Sequence, residues 1–265
     1  MVQKIETIAF IGGGRLTFLL LQGLKAQNTL PENILISDPH PANLDRLRKI
    51  SDTQIKTFSE NKEVLQSQIL FLNIHPDAVL AVADEIKNIL PRETLFVSCV
   101  PTFTLNRLER LLNGHQNMVR MIPNAPSIIG KGYNPLSFHP SVNEEMQKSF
   151  LTLAKNWGQC PIVEEENLES YAILSGMGPT YFWFQWLELI NLAQQFGLSE
   201  AQAKEAIAQM VHGAVDTLLH SNLTPQEVLD LIPVNPLKKQ EETIRQIYKE
   251  HLTRLQEKLK MLRSS

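Results

Sequence analysis

An apolar run that ends directly on three glycines, with helical spacing starting at once, leaves a chain few folding choices. Ile8-Ala9-Phe10-Ile11 runs into Gly12-Gly13-Gly14-Arg15-Leu16-Thr17, and Leu16–Gln27 then carries apolar residues at helical intervals. This is the G-x-G-x-x-G/A turn between a strand and a helix, with Thr17 in its third place. Gly12 permits the tight turn, and Gly14 lets the backbone approach a pyrophosphate. The helix start offers unpaired N–H groups and a partial positive charge to the anion. Gly12, Gly14, Arg15 and Leu16 are therefore candidate cofactor contacts. A purely structural turn is the other reading, and the strand-before, helix-after context favours the dinucleotide.

The pattern that begins there continues. Ile5–Ile11, Ile34–Ser37, Ile69–Ile74, Leu95–Val100 and Met118–Met121 read as strands. Leu16–Gln27, Ala42–Ile50, Asp77–Ile89 and Leu105–Leu112 alternate with them as helices, and Glu144–Trp157 follows a Pro/Gly loop. Strands that are apolar throughout are covered on both faces, so the expectation is an α/β Rossmann-type parallel sheet. Beyond Glu166 the spacing turns helical. Thr180–Phe196 is apolar on most faces, with Phe182, Trp183, Phe184 and Trp186, which implies burial in a core or a subunit interface. Ser199–Ser221 opens with a capping-box pattern, Ser199 to Gln202. From Thr243 onward, Tyr248, Leu252, Leu255, Leu259 and Leu262 make one apolar seam. The expected division is a dinucleotide-binding domain over 1–164 and an all-helical substrate and dimerisation domain over 165–265.

Composition excludes several function classes. Of 265 residues 43% are hydrophobic and 20% charged, as in a globular chain, and the net charge of −3 supplies no field for nucleic acid or anionic lipid. The apolar stretch Tyr181–Leu192 is too short and too interrupted to span a bilayer. No leader-like segment precedes the first strand, so the cytoplasm is the expected compartment. Cys99 and Cys160 have no metal-ligand spacing, Cys99 reads as a buried thiol, and no metal site is expected.

Asp38 closes the second strand, 26 residues after Gly12. An acid there can accept from the adenosine ribose, which tilts the choice toward NADH, or it can simply begin a turn with Pro39. Arg15, Ser37 and His40 stand near enough to hold a phosphate, so NADPH and NADH both remain open. Asn124, in Pro123-Asn124-Ala125-Pro126, follows a strand and lies at the carboxyl end of the sheet. Ser175-Gly176-Met177-Gly178-Pro179 reads as a loop entering a helix, with Pro179 suited to the first turn.

Several of these segments together resemble the pyrroline-5-carboxylate reductase family. Phe10–Leu16 is similar to its F-I-G-x-G-x-[ML] opening, and Val119–Pro126 to V-R-x-M-P-N-T-P. Leu174–Tyr181 resembles x-S-G-S-G-P-A-Y, and Leu72-Asn73-Ile74-His75-Pro76 stands where the family has L-A-V-K-P. The resemblance implies that Asn61, in Asn61-Lys62-Glu63-Val64, touches the adenosine ribose. It places Asn73, His75, Pro76 and Asn124 beside the cofactor, and makes Ser175, Gly176, Gly178 and Pro179 a substrate wall. It further implies a homodimer or larger homo-oligomer, and hydride transfer from NADPH or NADH to the C=N carbon of a cyclic imino acid.

The family motif S-P-G-G-[TA]-T has no counterpart. Val234–Ile244 stands there instead, with Lys238 and Lys239, and Thr243 is the candidate for the family's last threonine, the catalytic position. His75 replaces a lysine, Met177 a serine and Thr180 an alanine, and Leu187 occupies the place of a family acid. An imino-acid reductase is the expected function, with a non-catalytic dinucleotide-binding relative, a sensor or scaffold, as the alternative.

Overall fold

The structure is a computed structural model that describes residues 4–51 and 54–264. The chain divides into two compact units, Met1–Met177 with Leu255–Ser265, and Gly178–Arg254. The expected boundary at residue 164 marks the change in sequence character. The division by contacts falls after Met177, and the last residues of the chain belong with the first unit.

The first unit is built on β1 (Thr7–Ile11), α1 (Arg15–Ala26), β2 (Asn33–Ser37), α2 (Pro41–Arg48), β3 (Ile55–Phe58), β4 (Ile69–Leu72), α3 (Val79–Ile86), β5 (Leu95–Ser98), α4 (Leu105–Leu111) and β6 (Met118–Met121). After these come β7 (Gly132–Tyr133), β8 (Leu136–Phe138), α5 (Glu144–Ala154), β9 (Gly158–Gln159) and α6 (Leu168–Tyr171). Seven strands form one sheet in the order β3-β2-β1-β4-β5-β6-β8. All its pairings are parallel except β6 with β8, where Val119 faces Phe138 in an antiparallel edge. The Rossmann expectation holds, with that antiparallel edge and the short β3 as additions.

Alternation along each strand feeds two cores. Ile8, Phe10, Ile69 and Phe71 point into one, with Leu20, Leu24 and Trp157. Ala9, Ile11, Leu70, Leu72 and Phe96 point into the other. This two-sided burial is why the strands read as unbroken apolar runs. Phe10 stacks on Phe71 with centroids 4.8 Å apart, and the Trp157 indole N–H donates to the Leu20 carbonyl at 2.8 Å. Cys99 is buried and both cysteines are free thiols.

The sheet order places β1 between β2 and β4, so chain connections leave it in opposite directions. That is a topological switch point, where the carboxyl ends of neighbouring strands open a crevice. Gly12 directly follows β1 and Asn73 directly follows β4 at that point.

The second unit contains α7 (Pro179–Gln195), α8 (Glu200–His220), α9 (Pro225–Asp230) and most of α10 (Glu241–Ser264). The capping box at Ser199 and Gln202 forms as its spacing implies, and Pro179 takes the first turn of α7. None of the residues of α7 is buried: Phe184 and Leu187 are 67% and 62% exposed. The core alternative for this apolar helix is thus overturned within the chain, which leaves the interface reading. Tyr181, Phe184, Ile247, Tyr248 and Leu252 line an apolar cleft of about 450 Å³ in this unit.

Candidate active site

The crevice at the carboxyl ends of β1, β2 and β4 is shaped by its glycine turn. Gly12 has φ of +100°, and a Cβ there would lie 2.3 Å from the Asn73 carbonyl oxygen, so no other residue fits. Around Gly14 the opposite holds: a Cβ would meet nothing within 4 Å, which leaves the start of α1 open to a ligand. No side chain caps that helix and no acid lies in its first turn. Its first amides therefore present unpaired N–H groups and the positive end of the dipole to the open space.

Thr17, at the third position of the turn, is fully buried and holds the loop together. Its hydroxyl donates to the Gly12 carbonyl and accepts from Asn73 Nδ2 at 3.0 Å. A threonine does here by hydrogen bonding what a glycine does by closeness. Asn73 Oδ1 is buried without a hydrogen-bond partner beside this turn. An open helix N-terminus and an orphaned buried acceptor together fit a phosphate-bearing dinucleotide with polar groups of its own.

Asp38 has a different environment from the one its position implies. It is 7% exposed, and its Oδ2 accepts from the Gly13 N–H at 2.7 Å. Its Oδ1 accepts from the His40 N–H at 2.7 Å, lies 3.3 Å from His40 Nδ1, and both oxygens lie 3.2 Å from Asn43 Nδ2. The carboxylate is occupied by its own loop. Asn61 opens a 3₁₀ turn, accepts from the Ser37 hydroxyl at 2.8 Å and donates to Glu85 at 2.7 Å. Arg15 is exposed at the loop and Leu16 is partly buried against the core.

His75 and Pro76 follow Asn73 at the end of β4. The imidazole is largely exposed, and its Nδ1 stands 3.2 Å from an Asp77 carboxylate oxygen. Further along the same edge, Asn124 follows β6. From β2 to β6 is four strand spacings, roughly 19 Å. Asn124 Oδ1 accepts from the Tyr133 N–H at 3.0 Å, and its Nδ2 donates to the Ser175 carbonyl at 3.2 Å. Asn124 thereby ties the loop after β6 to the segment carrying Ser175 and Gly176.

That segment is not the loop its glycines imply. Ala172–Gly176 forms a π-helical turn continuing from α6, in which the Met177 N–H reaches the Ala172 carbonyl at 2.9 Å. The Ser175 hydroxyl donates back to the Tyr171 carbonyl at 2.9 Å. A π turn inside a helix is uncommon and is found mostly where function needs a displaced side chain. Gly178 and Pro179 open α7, and Thr243 lies exposed in the first turn of α10; all three belong to the second unit.

The structure thus gathers Gly12, Gly14, Arg15, Asp38, Asn61 and Asn73 around one crevice, and joins Asn124 to Ser175. Sequence reasoning missed Asn43 and Arg46 on α2. Arg46 Nη2 donates to the Gly14 carbonyl at 3.2 Å, and its guanidinium lies 4.4 Å from the centre of the Phe18 ring. Their positions five and eight residues after Asp38, inside the helix that follows it, were the available signal. Among the described residues no group of His, Cys, Asp or Glu is placed to hold a metal ion, and no helix is long and apolar enough to cross a membrane.

Comparisons with known proteins point to one family. Residues 7–102 match the family model described as NADP oxidoreductase coenzyme F420-dependent. Residues 165–234 match the model described as pyrroline-5-carboxylate reductase dimerisation. Pyrroline-5-carboxylate reductase 3 of Danio rerio is 30% identical over 225 residues, covering 83% of this chain and 76% of that protein. The Escherichia coli pyrroline-5-carboxylate reductase is 26% identical over 230 residues, covering 86% of this chain and 84% of its own. Among solved structures, a pyrroline-5-carboxylate reductase from Coxiella burnetii aligns with a TM-score of 0.73 at 25% identity, over 98% of this chain and 99% of that one. The Plasmodium falciparum enzyme, solved with NADP bound, has the same fold, with a TM-score of 0.82 at 22% identity over 99% of this chain and 100% of that one.

Proposed function

Because the chain belongs to the pyrroline-5-carboxylate reductase family, we propose that it reduces the C=N bond of a cyclic imino acid with NAD(P)H, converting pyrroline-5-carboxylate to proline or acting on a close relative. The observation that carries this reading is the open glycine turn at the switch point, with Asn73 Oδ1 unpartnered beside it. A bound nicotinamide cofactor supplies the hydride. The residues of the chain bind, orient and shield. The amides at the start of α1, with Gly12 and Gly14 keeping the approach clear, take the pyrophosphate. Thr17 and Asn73 hold the turn in shape for it. Asn61 and Asp38 border the adenosine side, and His75, Pro76 and Asn124 border the nicotinamide side of the edge.

Ser175 and Gly176 form part of the substrate wall, because the Asn124 bond fixes the π turn that carries them. Gly178, Pro179 and Thr243 are assigned to substrate on the strength of the family pattern, with Thr243 as the group that serves the ring nitrogen. The region 165–265 serves as substrate and dimerisation domain, and the protein works as a homodimer or larger homo-oligomer, a reading supported by the exposed aromatic face of α7. The two free thiols suit the cytoplasm.

The test is NADPH and NADH absorbance with purified protein and racemic pyrroline-5-carboxylate, beside a control without substrate. Substrate-dependent oxidation is the expected result. Tight cofactor binding with no oxidation by any cyclic imino acid would overturn the reductase and leave a dinucleotide-binding relative.

A further inference from the structure

We infer that Asp38 positions the phosphate loop and that Arg46 reads the cofactor's 2′ substituent, so that the chain prefers NADPH despite an acid at the end of its second strand. The inference rests on the proposal that the glycine turn binds a nicotinamide dinucleotide. An acid in that place normally selects NADH by accepting from the ribose hydroxyls and repelling a 2′-phosphate. It can do so only with lone pairs to offer. Those of Asp38 are taken: Oδ2 by the Gly13 N–H and Asn43, Oδ1 by the His40 N–H, with Asn43 and the His40 ring alongside. The carboxylate is almost fully buried, and a Cβ built on Gly13 would lie 3.2 Å from that of Asp38. It is a staple between the turn and the start of α2, and its charge is spread over the donors that surround it.

Arg46 has the opposite character. It stands exposed on α2, yet its guanidinium is fixed at the mouth of the turn by the Gly14 carbonyl and the Phe18 ring. A planar fork already held in one orientation loses little freedom when it meets a phosphate. Arg15, exposed on the same turn, adds to the positive potential there. The Asp38 oxygens are thus withdrawn from a ribose hydroxyl, and a preorganised phosphate donor is supplied.

Titration calorimetry on the full chain, with NADPH and NADH in turn, separates the possibilities. Wild-type protein should bind NADPH at least about tenfold more tightly than NADH, the size of one charge-assisted hydrogen bond. Arg46→Met should remove about tenfold of NADPH affinity and leave NADH within about twofold. Asp38→Asn should weaken both cofactors by the same factor, with the KM for each rising while kcat at saturation is kept. Tighter NADH binding by the wild type, an unchanged NADPH to NADH ratio in Arg46→Met, or a selective loss of NADH in Asp38→Asn would each overturn the inference. Binding of neither cofactor by the wild type would instead remove the dinucleotide site itself, and this assignment with it.

Discussion

Asp38 shows how far a single residue can be read from its position. Its identity, its place at a strand end and its distance from Gly12 are all visible in the sequence, but its partners are not. The bonds to Gly13 and Asn43 exist only because the turn and α2 meet in space. Thr17 is a second case: as a departure from glycine it predicts a tightened or slightly displaced helix–strand contact, and the hydrogen bonds by which its buried hydroxyl closes the turn are not visible in the letters. His115 gives a test at the same scale. It is buried, with Nε2 near the Thr94 and Asn117 carbonyls and Nδ1 without a partner. Desolvation lowers its pKa below the ordinary histidine value, outweighing the backbone hydrogen bonds that raise it. The unfolded chain then binds more protons than the folded one just below about pH 6.5, so this residue makes folding less favourable as pH falls through that range. Urea denaturation of wild type and His115→Gln at pH 7.5 and 5.5 should show a steeper acid loss for the wild type. Equal slopes would mean that His115 does not titrate differently in the two states.

Among the elements, the long periodic ones were legible and the short or contextual ones were not. Helices α1, α5, α7 and α8 lie within a few residues of the bounds their spacing implies. β3 was missed because four residues containing Lys56 and Thr57 carry too little pattern, and it survives as an edge strand by pairing with β2. β8 was missed because three residues after Asn134-Pro135 read as loop. The π turn at Ala172–Gly176 is invisible because five residues cannot distinguish a one-residue shift in helical bonding from a glycine-rich bend. The same limit applied to α9, whose capping box at Thr224 and Glu227 was nonetheless present in the letters. The apolar character of α7 was plain, while the choice between core and interface needed the exposure of Phe184. Phe184→Glu, which changes a residue already 67% exposed in the chain, should convert a dimeric or larger wild type to monomer in sedimentation velocity. A monomeric wild type at micromolar concentration would refute the interface.

At the scale of the whole molecule the chain doubles back on itself. Leu255–Ser265, the end of α10, belongs with the first unit. Leu259 is buried there, and Arg263 Nη1 lies 3.3 Å from a Glu169 carboxylate oxygen. The other Glu169 oxygen receives the buried Arg120 at 2.9 Å, and Arg120 also meets Glu165 at 2.7 Å. Removing residues 255–265 takes away an apolar contact and one cation from this cluster. The melting temperature of a chain cut after Arg254 should fall by several degrees, consistent with about 1–3 kcal/mol. An unchanged melting temperature would show that the returning segment does not contribute. The two-domain reading from sequence could not contain this feature, since a boundary at 164 assigns every later residue to one side. It also bears on how the protein is made. A ribosome delivers the Rossmann sheet first and the segment that packs beside Glu169 only after the whole second unit has emerged. The amino-terminal unit therefore cannot reach its final form until residues 255–265 have also emerged, long after its sheet is complete.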